Sequence, residues 1–218
     1  MTRKEAYSHI DHTLLKAVAT FADIEKLCDE ALRLGAASVC VPPCYVRRIR
    51  DAYGDRLRIC TVIGFPLGYS VTAAKLTEAK QALADGASEI DAVVNIADVK
   101  NGDYARVLDE IKQLRAAAGA HILKVIVETC YLSQEEKIKL CEIVTESGAD
   151  YIKTSTGFGT AGAEEADIEL FKAHIGPKVK IKASGGIRTV EALLRFLALG
   201  CDRVGASAVF DLPEEDPS

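Results

Sequence analysis

Two lysines each close a short apolar run and lead at once into small, hydroxylated residues. They are Lys153 in Tyr151-Ile152-Lys153-Thr154-Ser155-Thr156-Gly157 and Lys182 in Ile181-Lys182-Ala183-Ser184-Gly185-Gly186. Adjacent strands of a sheet run about 5 Å apart, so two such strands would set the amines side by side. Two ammonium groups about 4 Å apart at an effective dielectric of 20 repel by ~4 kcal/mol, and partial burial acts in the same direction. One amine is therefore expected to be largely neutral near pH 7. A neutral lysine is a nucleophile toward carbonyls, and the chemistry this implies is Schiff-base formation.

Other polar residues stand at the ends of apolar runs. Asp91 sits in Glu89-Ile90-Asp91-Ala92-Val93-Val94, and Lys124 in Ile122-Leu123-Lys124-Val125-Ile126-Val127 is its natural partner on the following strand. A lone buried charge is prohibitive, whereas a pair is tolerable. Such a carboxylate could also pass a proton, through water, to a reacting carbon or hydroxyl. Asp11 in Ile10-Asp11-His12-Thr13 would extend this network, with His12 read as structural. Two glycine-bearing turns, Ser184-Gly185-Gly186-Ile187-Arg188 and Gly205-Ala206-Ser207, expose backbone N–H groups, and each precedes a helix, whose N-terminus attracts anions. Gly185, Gly186, Gly205 and Ser207 are therefore expected to hold a phosphate, with Arg188 available to add charge.

The elements that must position these groups follow from the hydrophobic pattern. Short β-rich runs at 8–14, 38–41, 58–63, 89–94, 122–128, 151–154, 179–183 and 202–205 alternate with segments whose apolar residues recur at helical spacing. Thr20-Phe21-Ala22-Asp23 and Ser133-Gln134-Glu135-Glu136 are capping-box sequences. The phrases Leu34-Gly35-Ala36, Asp85-Gly86-Ala87, Ser147-Gly148-Ala149 and Leu199-Gly200-Cys201 close helices with the same turn chemistry. Eight strand–helix units without a linker predict a single (β/α)₈ barrel spanning residues 1–218, near the lower end of that fold's length; a doubly wound open sheet is the alternative. In a barrel, chemistry belongs at the C-terminal ends of the strands, and the loops after strands seven and eight are the usual phosphate site.

The remaining features mainly exclude. A net charge of −5 gives no general attraction to nucleic acid or anionic membranes. No apolar run approaches the ~20 residues needed to span a bilayer, and Met1-Thr2-Arg3-Lys4-Glu5-Ala6-Tyr7 lacks the apolar core of a secretory leader. Seven cysteines, mostly in apolar runs and without paired metal spacing, read as reduced thiols of a cytoplasmic protein. No HExxH, GxSxG or P-loop lysine occurs, and the four histidines form no convincing metal cluster. Gly157-Phe158-Gly159-Thr160-Ala161-Gly162 matches a dinucleotide fingerprint, but no acid follows between 170 and 190, where the ribose hydroxyls would need one. Those glycines are expected to form a βα loop over the site.

Taken together, Ile10-Asp11-His12-Thr13-Leu14-Leu15, Glu89-Ile90-Asp91, Leu123-Lys124-Val125-Ile126-Val127-Glu128-Thr129, Lys153-Thr154-Ser155-Thr156-Gly157-Phe158 and Lys182-Ala183-Ser184-Gly185-Gly186-Ile187-Arg188-Thr189 resemble deoxyribose-phosphate aldolases through nearly the whole chain. The resemblance implies a (β/α)₈ barrel and a metal-independent class I aldolase, needing no cofactor beyond a lysine Schiff base. It implies that 2-deoxy-D-ribose 5-phosphate is cleaved reversibly to glyceraldehyde 3-phosphate and acetaldehyde in deoxyribonucleotide catabolism. The partner implied is a small phosphosugar, not nucleic acid or membrane, and the assembly a homodimer or homotetramer. By the same resemblance Lys153 is the Schiff-base lysine, Lys182 the second lysine that lowers its proton affinity, and Asp91 the acid of the proton relay. Gly185, Gly186 and Ser207 match phosphate-contacting positions. Two departures stand out: Phe158 occupies a position that is basic in some members, and the tail from Asp211 to Ser218 lacks the terminal tyrosine some members carry.

Overall fold

Eight parallel strands close on themselves in the computed structural model, which describes residues 3–206. The strands are β1 (Ile10–Thr13), β2 (Ser38–Val41), β3 (Ile59–Ile63), β4 (Glu89–Val93), β5 (Ile122–Ile126), β6 (Tyr151–Lys153), β7 (Lys180–Ser184) and β8 (Arg203–Ala206). Each pairs with its sequence neighbour, and β8 returns to β1 with Ile10 opposite Val204. Closure excludes the open doubly wound sheet. Nine helices accompany the strands among the described residues: α1 (Arg3–Tyr7), α2 (Phe21–Leu34), α3 (Val46–Tyr53), α4 (Thr72–Ala84), α5 (Ile96–Lys100), α6 (Tyr104–Ala118), α7 (Gln134–Ser147), α8 (Glu165–His174) and α9 (Val190–Ala198).

Local sequence explains the element ends. Thr20 and Ser133 form full capping boxes with Asp23 and Glu136, satisfying two otherwise orphaned donors at each helix start. Gly35 and Gly148 end the same helices in the left-handed conformation that glycine adopts without steric cost. Two expected strands fall short of the apolar runs by two residues at one end, whereas the other strand ends agree to within one residue. The run at 8–14 begins as strand only at Ile10, because Ser8 and His9 hydrogen-bond back to Glu5 and Ala6 as α1 ends. The run at 122–128 stops at Ile126, and two residues later Glu128 turns left-handed (φ 56°) and breaks the ladder.

Alternation along the strands divides the barrel into two environments. One set of side chains, including Ile90, Ala92, Leu123, Val125, Ile152, Ile181, Ala183 and Val204, packs against the helices in one continuous apolar layer. Burying each large aliphatic chain there contributes roughly 1.5–3 kcal/mol. The other set meets inside the barrel. Among the described residues Cys40, Cys60 and Val62, with Leu15 and Phe65 against them, form an apolar patch there. Much of the rest of the interior is ionic, although the buried Val93, Ile126 and Tyr151 share its strand parity, and the outer layer must supply the stability that lets the barrel tolerate it.

Candidate active site

The parallel register sets the charged side chains in rows. Asp91 lies opposite Lys124, Lys153 opposite Lys182, and Lys182 opposite Arg203. Asp91 Oδ2 accepts hydrogen bonds from both Lys153 Nζ and Lys182 Nζ, each at 2.7 Å, so the two nitrogens lie within twice that distance of each other. Asp91 Oδ1 accepts from Lys124 Nζ at 2.8 Å and from the Cys60 thiol at 3.1 Å. Asp11 accepts from Lys182, Arg203 and, at 2.8 Å, Ser38. Glu89 closes the network, 2.6 Å from Lys124 Nζ and 3.0 Å from Arg203. Every member is nearly or fully buried.

Mutual pairing decides the protonation of this cluster. Burial alone would push the carboxyl of Asp91 up, but Lys124, Lys153 and Lys182 outweigh it and hold the group well below the usual carboxylate range. Asp11 is held down in the same way, against its own burial, by Lys182, Lys124 and Arg203. Burial opposes charge on Lys182 too, yet Asp11 and Asp91 raise its proton affinity above that of a free lysine. Lys124 is raised similarly, chiefly by Asp91. The Cys60 thiol is pushed well up, first by burial and then by its hydrogen bond with Cys40.

The sequence reading is refined at one point. Rather than facing each other bare, the two lysines share a carboxylate oxygen, and Lys182 is firmly charged. Fully ionised, the cluster carries four cations (Lys124, Lys153, Lys182, Arg203) against three carboxylates (Asp11, Glu89, Asp91), one positive charge in surplus. Lys153 contributes a single ion pair to that set, and the oxygen it uses is shared.

Lys153 is also the cluster's cation that reaches open space. It lines a cleft of about 310 Å³ at the C-terminal ends of β1, β6, β7 and β8, together with Gly185, Gly186 and Gly205. Gly185 and Gly186 are left-handed (φ 86° and 78°), a conformation that glycine adopts without steric cost. A Cβ at Gly205 would come within 2.5 Å of Ser184 Oγ, so a larger residue there would have to displace that hydroxyl. The loop from 157 to 162 lies over this end as expected, with Gly157 and Phe158 in the cleft wall and Ala163 N–H bonded to Gly185 O at 3.1 Å. Phe158 is 54% exposed and meets Phe65 edge-on, with ring centroids 5.3 Å apart. Ser184 lines the cleft, and its buried hydroxyl has no hydrogen-bond partner among the described residues, nor does that of Ser155.

Asp11, Asp91, Lys124, Lys153 and Lys182 are thus brought together, and the three glycines stand at the cleft beside Lys153. Ser207 and the tail lie outside the described residues. His12 points away from the cluster, its Nε2 2.9 Å from Glu30 on α2. Sequence reasoning missed Glu89 and Arg203. Glu89 was accessible, since it stands two residues before Asp91 and shares its face of β4. Lys16, which also lines the cleft, sits in a loop where no periodicity flags it. Cys40, Cys60 and Asp91, and likewise Asp11, Cys60 and Glu89, cluster tightly enough to share a cation. Lys124 Nζ already fills that role, 3.3 Å from Cys60, 2.8 Å from Asp91 and 2.6 Å from Glu89.

A closed (β/α)₈ barrel with lysines and carboxylates converging below a glycine-lined cleft defines the class as an aldolase barrel. The profile of DeoC/LacD family aldolases matches residues 6–208. A deoxyribose-phosphate aldolase from Clostridium botulinum (strain Alaska E43 / Type E3) is 60% identical over 212 residues, covering 97% of this chain and 96% of that protein. Another from Clostridioides difficile (strain 630) is 53% identical over 206 residues, 94% of each chain. Among solved structures, QR15, an aldolase, superposes with a TM-score of 0.91 at 38% identity, covering 95% of both chains. The deoxyribose phosphate aldolase of Aeropyrum pernix, described as tetrameric, superposes at 0.89 with 30% identity, covering 95% of this chain and 90% of that one. The chain belongs to the DeoC/LacD family of aldolases.

Proposed function

We propose that this enzyme is a class I aldolase that reversibly cleaves 2-deoxy-D-ribose 5-phosphate to D-glyceraldehyde 3-phosphate and acetaldehyde, through a Schiff base on Lys153. The observation that carries the assignment of Lys153 is its place at the boundary between the ionic cluster and the cleft, sharing an Asp91 oxygen with Lys182. Releasing the Lys153 proton removes the surplus charge of the cluster and leaves three cations against three carboxylates. The other three cations are poorer donors of that proton: Lys124 and Lys182 contact more carboxylates, and Arg203 is a guanidinium that stays charged.

The free amine adds to the C1 aldehyde of the open-chain sugar, and loss of water gives an iminium. The C3 hydroxyl then gives up its proton, the C2–C3 bond breaks, and its electron pair flows into the iminium to form an enamine. Glyceraldehyde 3-phosphate leaves. Protonation of the enamine at C2 and addition of water release acetaldehyde and regenerate Lys153. We assign the proton relay to Asp91 and Lys182, acting through water, because Asp91 contacts both amines. Lys124 and Asp11 keep that pair oriented. Gly185, Gly186, Gly205 and Ser207 receive the phosphate, whose binding energy orients the distant reacting bond. The Ser184 hydroxyl is available to the same substrate.

The chemistry uses neither a metal nor an organic cofactor. No helix is long and apolar enough to cross a membrane among the described residues, and we place the enzyme in the cytoplasm as a homodimer or homotetramer of one-domain chains. The deciding experiment is reduction with borohydride in the presence of acetaldehyde, followed by peptide mapping by mass. An ethyl adduct on Lys153, with turnover of deoxyribose 5-phosphate, is expected. An adduct on a different lysine overturns the assignment, and absence of any adduct favours a phosphosugar isomerase on the same barrel.

A further inference from the structure

Glu128, just beyond β5, combines three properties that stability alone does not explain. It is a non-glycine residue at φ 56°, it is 2% exposed, and it makes no ion pair with a lysine or arginine among the described residues. A left-handed conformation costs any side chain with a Cβ, and glycine would relieve that cost. A carboxylate buried without a cation needs hydrogen bonds instead. Glu128 finds them chiefly on one residue of the neighbouring loop, with the Cys130 thiol a longer donor at 3.9 Å. It accepts from the Thr156 backbone N–H, 3.2 and 3.3 Å from its two oxygens, and from the Thr156 hydroxyl.

The grip extends along the wall of the cleft. Thr156 Oγ1, having donated to Glu128, accepts from Phe158 N–H at 3.0 Å. Thr129 N–H reaches across to Thr154 O at 3.0 Å. Gly159 is packed so closely that a Cβ would stand 2.8 Å from Cys130 Sγ and 3.2 Å from Glu128 Cδ. Thr156, Gly157 and Phe158 all line the cleft that Lys153 opens into. The strained turn therefore aims an acceptor at the loop facing Gly185 and Gly186, and that loop takes its shape from it.

We infer that Glu128 is a positioning residue which, through Thr156, fixes the cleft wall against which the body of a phosphosugar packs, without acting on Lys153 itself. The inference rests on the aldolase reading above. It separates two ligands by length. Acetaldehyde needs only the amine, whereas the five-carbon phosphosugar must extend from Lys153 along the wall to the glycines. Loss of the carboxylate should therefore weaken use of the phosphosugar while leaving imine formation with acetaldehyde intact.

The test uses the full chain with Glu128→Ala, Glu128→Gly and Glu128→Gln, and Thr156→Val as an approach from the other side of the contact. Removing the carboxylate is expected to raise KM for deoxyribose 5-phosphate at least tenfold in both Glu128→Ala and Glu128→Gly, although the glycine variant, free of backbone strain, should melt at a higher temperature than the alanine one. Borohydride trapping with acetaldehyde should stay within twofold of the parent, and Glu128→Gln, which keeps one acceptor, should recover most of the KM. Thr156→Val should raise KM comparably, and its combination with Glu128→Gly should add little, as coupled residues do. KM unchanged in the variants, or KM following melting temperature instead of the carboxylate, overturns the proposal. So does trapping lost in proportion to turnover, which would put Glu128 at the amine. A parent enzyme that neither turns over the sugar nor traps acetaldehyde would instead refute the aldolase reading on which it rests.

Discussion

Replacing Lys182 by methionine tests the charge logic of the site most directly. With Lys182 present, the fully ionised cluster holds one cation too many, so expelling the Lys153 proton relieves it. In Lys182→Met the count becomes three cations against three carboxylates only while Lys153 is protonated, and the same proton becomes worth keeping. Both lysine nitrogens contact one oxygen at 2.7 Å, so their separation is at most twice that. At an effective dielectric of 20, two charges at that limit repel by about 3 kcal/mol, which corresponds to roughly two pH units. The assay is the pH profile of acetaldehyde trapping, read as the Lys153 adduct by mass so that the lost relay does not obscure the result. The half-maximal point should move to higher pH by about two units, with turnover at neutral pH falling further because the proposed relay is also broken. A half-point that stays in place or moves to lower pH would refute the reasoning, because Lys182 would then exert no field on the reacting amine.

Three other outcomes are expected. Lys153→Arg should abolish trapping and turnover, since a guanidinium never offers a neutral nucleophile; a surviving adduct elsewhere would relocate the chemistry. Asp11 and Asp91 are held below the carboxylate pKa of about 3.9 that they have when unfolded, so they stabilise the fold above that pH and lose this contribution as the pH falls below it. Melting temperature should therefore drop steeply below about pH 4, and a flat profile from pH 6 to 3 would contradict the ionic interior. In Gly162→Ala the new Cβ would meet the Gly185 carbonyl oxygen at 2.2 Å, which should destabilise the protein by roughly 1–3 kcal/mol and raise KM for the phosphosugar several-fold while acetaldehyde trapping persists. A KM equal to the parent's would show that this loop contact does not shape the cleft.

The sequence carried the barrel clearly, because eight apolar runs alternate with capped, glycine-terminated helices and nothing interrupts them. It carried the lysine pair for the same reason: period-two alternation makes a charge inside an apolar strand conspicuous, and Asp11, Asp91, Lys124, Lys153 and Lys182 all stand in that position. What the pattern could not convey is which charges touch. Asp91 was matched with Lys124 across one rung, yet it also bonds Lys153 and Lys182 from further round the barrel, a relation set by closure rather than by adjacency. Arg203 escaped because an arginine at the start of a strand reads as a surface residue, whereas the barrel interior gives it Glu89 and Asp11. Glu128 stood in the motif that follows Lys124, but its part in the loop did not show, since only the backbone reveals a left-handed turn at a residue other than glycine.

The pairing of Lys153 with Lys182 on facing rungs of β6 and β7 has a consequence for how this scaffold can change. The proposed nucleophile and its companion are anchored in the hydrogen-bonded staves of the barrel, whereas the groups that would greet the far end of a substrate ride on the connections between staves. On that proposal, rewriting those connections would alter which aldehydes are welcomed and leave the distance between the two amines untouched. Variation in substrate range and constancy of reaction are thereby assigned to separate stretches of one short chain.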